Sequence, residues 1–210
     1  CRCKLDVNLD IKLLKLMVLS GCIGILFGLE TVSKNVLEKM NKYEIILTEN
    51  EIAKILEDVH NVGLDIHINL IFGFPGEEPK DVDKNKLFIT KIISKYNNIT
   101  CWINLFTLFK ESTIYKNPSK YNIKILEDEN DFTYIYNFSY LSGQYSDKKD
   151  LYNKFSRFRN EVFESLGWHI QKASHIHLLM LYKHTSHGIL LRNNIKIHSE
   201  DIQQLLEKYN

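Results

Sequence analysis

The segment Asn69-Leu70-Ile71-Phe72-Gly73-Phe74-Pro75-Gly76-Glu77 runs from an apolar strand straight into a turn built on two glycines and a proline. Such a turn fixes an unusual backbone path, and glycine lets that path come close to a ligand. It marks the carboxyl end of a strand in a βα unit. A second strand end lies upstream, where Ile25-Leu26-Phe27-Gly28-Leu29-Glu30 closes on a carboxylate.

Around these two ends the chain alternates strands and helices. Asp10 can cap a helix through Ser20, with Leu13, Leu14, Met17 and Val18 favouring one side and Gly21 as its stop. Cys22 to Leu29 reads as a buried strand, and Ser33 can cap a short helix carrying Val36, Leu37 and Met40. Thr48-Glu49-Asn50-Glu51 is a capping box, and the helix behind it spaces Ile52, Ile55, Leu56 and Val59 along one face before Gly63 ends it. Asp65 to Phe72 is a strand, Asp81 to Tyr96 a helix, and Thr100 to Leu108 another strand. Near-continuous apolar strands separated by helices predict an α/β fold with a parallel sheet, and ligands of such sheets bind beyond the carboxyl ends of the strands. Glu30, the Gly73 turn and Thr107 then surround one mouth.

From Lys116 onward the pattern changes. Asn117-Pro118 interrupts it, an acidic stretch covers Glu127 to Asp131, and Phe132, Tyr134, Tyr136, Phe138 and Tyr140 alternate like a strand or an extended arm. Helices are expected over 147–166, 173–184 and 199–209. Residues 1–121 are thus the βα portion and 122–210 a mostly helical extension packed on it.

Charge and cysteine usage narrow the functional classes. Lys and Arg number 27 against 26 Asp and Glu, so bulk charge favours neither nucleic acid nor an anionic membrane surface. No apolar run approaches the roughly 20 residues of a membrane span. Cys1, Cys3, Cys22 and Cys101 show neither zinc-type pairing nor a disulfide framework, which fits a reduced, cytoplasmic setting. Cys1 and Cys3 would share a face if residues 1–5 are a strand, as a metal or redox pair or as small buried hydrophobes. Six histidines, His169, His175, His177, His184, His187 and His198, fall in the tail. His184 and His187 could share a helix face, but no carboxylate partner accompanies them, and no metal site is assigned.

The ordered series Ser20-Gly21-Cys22, Ile25 to Thr31, Val36 to Lys42, His60 to Leu64, Asn69 to Glu77 and Ser112 to Pro118 resembles the later part of a radical S-adenosylmethionine (SAM) enzyme. The resemblance is to the branch with an upstream cobalamin-binding domain, and it spans roughly residues 1–121. It implies a partial (β/α) TIM-like barrel with a helical carboxyl-terminal extension. It also implies that Glu30 contacts the ribose and methionyl parts of SAM, since a carboxylate can accept from two hydroxyls. Ile71 and Gly73 would flank the adenine, backbone groups from Leu105 to Thr107 would serve its other edge, and Asn69 and Asn104 would face methionine or substrate. Each residue has a plainer reading. Glu30 can charge the next helix, Gly73 and Gly76 can form a simple turn, Asn69 and Asn104 can be satisfied core amides, and Thr107 stands out little from its neighbours. No catalytic residue is assigned.

The departures from the family matter as much. Its 4Fe-4S cluster is held by a C-x-x-x-C-x-x-C loop, and this sequence has no such loop. The segment that receives the SAM amine and the first two strands are also missing. The chain opens on Cys1-Arg2-Cys3 without an initiating Met, which is expected of a piece of something longer. The implied cofactors are SAM, a 4Fe-4S cluster with ligands elsewhere, and cobalamin from an upstream domain. The implied partners are a small-molecule or peptide substrate and the missing amino-terminal portion or a cluster-bearing subunit. The alternative is a cluster-less scaffold that associates through its sheet edge.

Overall fold

The computed structural model describes residues 1–6, 8–41, 45–96, 98–126 and 135–165. Four strands, β1 (Arg2–Cys3), β2 (Gly24–Glu30), β3 (Asp65–Phe72) and β4 (Ile99–Leu105), form one parallel sheet in sequential order. The crossovers carry α1 (Ile11–Leu19), α2 (Lys34–Met40), α3 (Glu49–Asn61) and α4 (Pro79–Lys95). Local signals set their ends. Asp10, Ser33 and Thr48 each accept a bond from a first-turn N–H, Glu51 completes the Thr48 box, and Gly63 takes φ +84 just after α3. α4 begins two residues before the expected Asp81, because Pro79 already holds a helical φ and needs no N–H there.

Alternate strand residues point to one buried layer. Ile25, Phe27 and Leu29, then Ile66, Ile68, Leu70 and Phe72, then Ile99, Cys101 and Ile103 join Leu14, Ile52, Leu56, Ile89 and other helix residues in a single core. Burying such a side chain contributes about 1.5–3 kcal/mol. The opposite face carries Leu26, Gly28, Asn69, Ile71, Trp102 and Asn104, all half-buried. A sequential parallel sheet with helices on one face is an arc of a (β/α) barrel, and its second face is the inner one. At the β1 side of the arc α1 buries Leu14, whereas Leu13 is 42% exposed and Val18 37%. The expected apolar side of α1 is therefore only partly covered.

β4 stops at Leu105, three residues earlier than expected. Phe106 N–H still bonds Phe72 O at 2.8 Å, but Gly73 then carries β3's chain away and leaves no ladder to extend. The chain resumes as β5 (Leu108–Phe109), α5 (Thr113–Lys116), a 3₁₀ turn over Pro118–Tyr121 and β6 (Ile123–Ile125). β5 pairs antiparallel with β7 (Ile135–Tyr136), and β6 with β8 (Phe138–Tyr140). Two short strand pairs thus precede the helix α6 (Lys148–Ser165), which falls where a helix was expected. Phe72 packs against Phe155, Phe158 and Tyr145 with ring centroids 5.2–5.8 Å apart, so the main core continues past residue 121. Phe132, Tyr134, the helices expected over 173–184 and 199–209, and the six tail histidines lie outside the described residues.

Candidate functional site

The exit of β2 is irregular. Gly28 pairs with Asn69 and Glu30 with Leu70, so Leu29 is an extra residue in a bulge. Glu30 follows it with φ +63, a left-handed conformation that costs a side-chain-bearing residue about 1–2 kcal/mol. The next residues are clamped by α4. The Asn85 side-chain oxygen accepts from Thr31 Oγ1 at 2.9 Å and Val32 N–H at 2.8 Å. Asp81 accepts from Ser33 Oγ at 2.6 Å and Asn35 Nδ2 at 3.1 Å. Burial pushes the Asp81 carboxyl up, but bonds from Ser33, the Glu78 N–H and Asn35 outweigh it and hold the group below its ordinary value. Sequence reasoning did not single out Asp81 or Asn85. Their signal was a carboxylate in the first turn of a Pro-initiated helix and an amide four residues on, along the same face.

At the exit of β3, Gly73 and Gly76 take φ +82 and +81. A Cβ on Gly73 would stand 2.7 Å from Leu151 Cδ1, so glycine is required there by conformation and by space. Glu77 turns inward and is 2% exposed. Its Oε2 accepts from Gly73 N–H at 2.8 Å and from Tyr145 Oη at 2.7 Å, while Oε1 is buried without a partner. Burial pushes the carboxyl up to about 7, against the pull of the Tyr145 and Gly73 bonds and helped by the neighbouring Asp81 charge. Tyr140 Oη donates to Gly73 O, and burial together with the Glu77 charge pushes both tyrosine hydroxyls up. Lys39 Nζ donates to Gly76 O at 2.7 Å. The turn is therefore held from both sides by residues distant in sequence. The glycines had marked it; the inward role of Glu77 had not been legible.

Across the inner face, His67 is 1% exposed and sits 2.8 Å from Thr100 Oγ1 through Nδ1 and 3.1 Å from Asn69 Oδ1 through Nε2. Asn69 thus has a partner on its own strand, and it stands in register between Gly28 and Trp102. Ile71 is in register with Asn104 and packs toward Phe74, Leu108 and Tyr121. Thr107 lies past the end of β4, with Oγ1 donating to Leu105 O at 3.3 Å. Glu30, Asn69, Ile71 and Gly73 therefore share the carboxyl-terminal half of the sheet, and Thr107 follows two residues beyond it. Among the described residues no group of three His, Cys, Asp or Glu is placed to hold a metal ion, and no helix is long and apolar enough to cross a membrane.

No protein-family model matches the chain. In sequence, 77 residues are 34% identical to bacteriochlorophyllide d C-8(2)-methyltransferase of Chlorobaculum tepidum, a match covering 37% of this chain and 17% of that protein. In structure, the chain is similar to coproporphyrinogen III oxidase (HemN) from Escherichia coli, a radical SAM enzyme, with TM-score 0.49 at 15% identity over 77% of this chain and 32% of that one. It is also similar to the radical SAM methyltransferase TsrM from Kitasatospora setae with cobalamin and a 4Fe-4S cluster bound, with TM-score 0.47 at 16% identity over 61% of this chain and 26% of that one. The chain spans about a third or less of the length of each of these proteins.

Proposed function

We propose that these residues form the later strands of a radical SAM enzyme's (β/α) barrel and contribute its SAM- and substrate-binding side. Glu30 is the observation that carries this reading. An acidic side chain held at φ +63 on a bulge, at the carboxyl end of a strand, is a strained position of the kind that concentrates at functional sites. The ribose of SAM offers two neighbouring hydroxyls, and a carboxylate accepts from both. Asn69 would serve the methionyl end or the substrate, the backbone at Ile71 and Gly73 one face of the adenine, and the Leu105–Thr107 backbone its other edge. Leu151 and Tyr140 fill the space beside the Gly73 Cα, so adenine would meet the strand backbone rather than that side of the glycine.

The 4Fe-4S cluster does not fit these residues. The four cysteines lack the C-x-x-x-C-x-x-C spacing, so its ligands would lie elsewhere in the protein or in a partner subunit. The chemistry served would be reductive SAM cleavage and radical reaction of a small-molecule or peptide substrate, or methyl transfer if cobalamin is bound upstream. The partial sequence likeness to a methyltransferase supports the last possibility.

The test is a calorimetric titration of SAM into the protein and its Glu30→Gln variant. Binding that weakens about tenfold in the variant, as expected for one charge-assisted bond, supports the reading; equal binding by both would sink it. The coding DNA upstream of Cys1 should contain an in-frame C-x-x-x-C-x-x-C. A cluster-less scaffold is the second reading, favoured by the exposed Leu16 (59%), Leu19 (83%) and Ile23 (55%) near the β1 side of the sheet. Self-association in sedimentation, with no SAM binding, would support it.

A further inference from the structure

The amino-terminal end of the sheet, opposite Glu30 and Gly73, gathers three of the four cysteines. Cys1 N donates to Gly24 O at 2.9 Å and Leu26 N to Cys1 O at 2.8 Å, which seats Cys1 beside the start of β2. Its Sγ lies 3.9 Å from Cys22 Sγ and 3.7 Å from Cys3 Sγ. Both separations are close to van der Waals contact between sulfurs. Cys1 is exposed and Cys3 and Cys22 are half-buried, so small oxidants reach the trio. Cys101 is a contrast: it is buried in β4, and burial pushes its thiol up and away from reactivity.

Cys1 touches two thiols, and geometry separates them. Residues two apart in a strand stand roughly 6.6 Å apart at Cα with parallel side chains. A disulfide needs Cα atoms within about 4.4–6.8 Å and Cβ atoms about 3.8 Å apart. A Cys1–Cys3 bond would therefore have to pull β1 off its partners Leu26 and Phe27. Cys22 is free of that constraint, since it lies before β2 and just after Gly21 at φ +87. Its backbone can follow a closing side chain without breaking a ladder bond.

We propose that Cys1 and Cys22 form a reversible disulfide, a redox clip that staples the two-residue edge strand β1 to the entry of β2. The oxidant is a low-molecular-weight disulfide such as glutathione disulfide. One protein thiolate attacks it, expelling one glutathione thiolate and leaving a mixed disulfide. The second protein thiolate then attacks that bond and expels the other. The protein loses two electrons and two protons, and the oxidant is reduced to two thiols. β1 is held by a very short ladder, so the clip determines how firmly this edge of the sheet is closed.

The test is a non-reducing peptide map. The purified protein is incubated with glutathione disulfide, alkylated and digested with trypsin. Cleavage after Arg2, Lys4, Lys15 and Lys34 puts Cys1, Cys3 and Cys22 on separate peptides. The expected result is the peptide ending at Arg2 joined to peptide 16–34, two hydrogens lighter than their sum and released by dithiothreitol. The link should persist in Cys3→Ser and vanish in Cys22→Ser, and the oxidised protein should melt higher until reductant is added. A Cys1–Cys3 link, an intermolecular dimer, stable glutathione adducts or three alkylated cysteines would each overturn the proposal.

Discussion

Glu30 and Glu77 leave neighbouring strands at the same end of the sheet, in opposite surroundings. Glu30 is half-buried, held left-handed by a bulge, and followed by a loop pinned under Asn85 and Asp81. Glu77 is sealed beneath Tyr145, gathers Gly73 N–H, and keeps one oxygen without a partner. One residue type, at comparable places in two βα units, thus serves two ends. Where the chain folds back over a strand end, the carboxylate becomes part of the scaffold; where it does not, the carboxylate stays at the mouth.

The largest expected effect falls on the sealed side. Glu77→Ala leaves a cavity and strips Gly73 N–H and Tyr145 Oη of their acceptor, costing about 3 kcal/mol at pH 5 by urea titration. A loss below about 1 kcal/mol would erase the contrast with Glu30.

Next in size is a pH dependence. Below pH 4.5 both folded and unfolded chains hold the Glu77 proton, and above about 7 neither does. Between those values the folded chain keeps it preferentially, so this group's stabilisation is full below 4.5 and is lost as pH rises through 7. The fall between pH 5 and 8 should be on the order of 2 kcal/mol. Glu77→Gln, which cannot ionise, should flatten that slope, and the cost of Glu77→Ala should shrink at pH 8.

Asn85→Ala tests the clamp at the other end. The buried Thr31 hydroxyl and Val32 N–H lose their acceptor, and unfolding should become about 2 kcal/mol easier in the same titration. The smallest effect carries an opposite sign. Glu30→Gly relieves the left-handed strain and should stabilise the fold by up to about 1 kcal/mol while weakening SAM binding. Loss of both stability and binding would make Glu30 a structural residue like Glu77.

Several elements were legible because their causes are adjacent in the chain. The Thr48 box and the Asp10 and Ser33 caps each close within three residues, and β3 was expected and found at Asp65–Phe72. The parallel sheet followed from apolar strands alternating with helices. The expected site residues Glu30, Asn69, Ile71 and Gly73 converge on one end of the sheet because parallel strands place their carboxyl ends together. Other features depend on distant partners. β4 ends early because β3's chain turns away, and the extension begins with strand pairs because β6 finds β8 across a gap in sequence.

By itself, the sequence determined which residues form strands and helices, where the glycine turn falls, and that two carboxylates close neighbouring βα units. Only the tertiary structure decided that Glu77 points inward to Tyr145, 68 residues away, that His67 satisfies Asn69, and that Cys1 meets Cys22. The reason is physical: caps and turns are hydrogen bonds between near neighbours, written into adjacent residues. Burial and the identity of a buried group's partner are properties of what the rest of the chain brings alongside it.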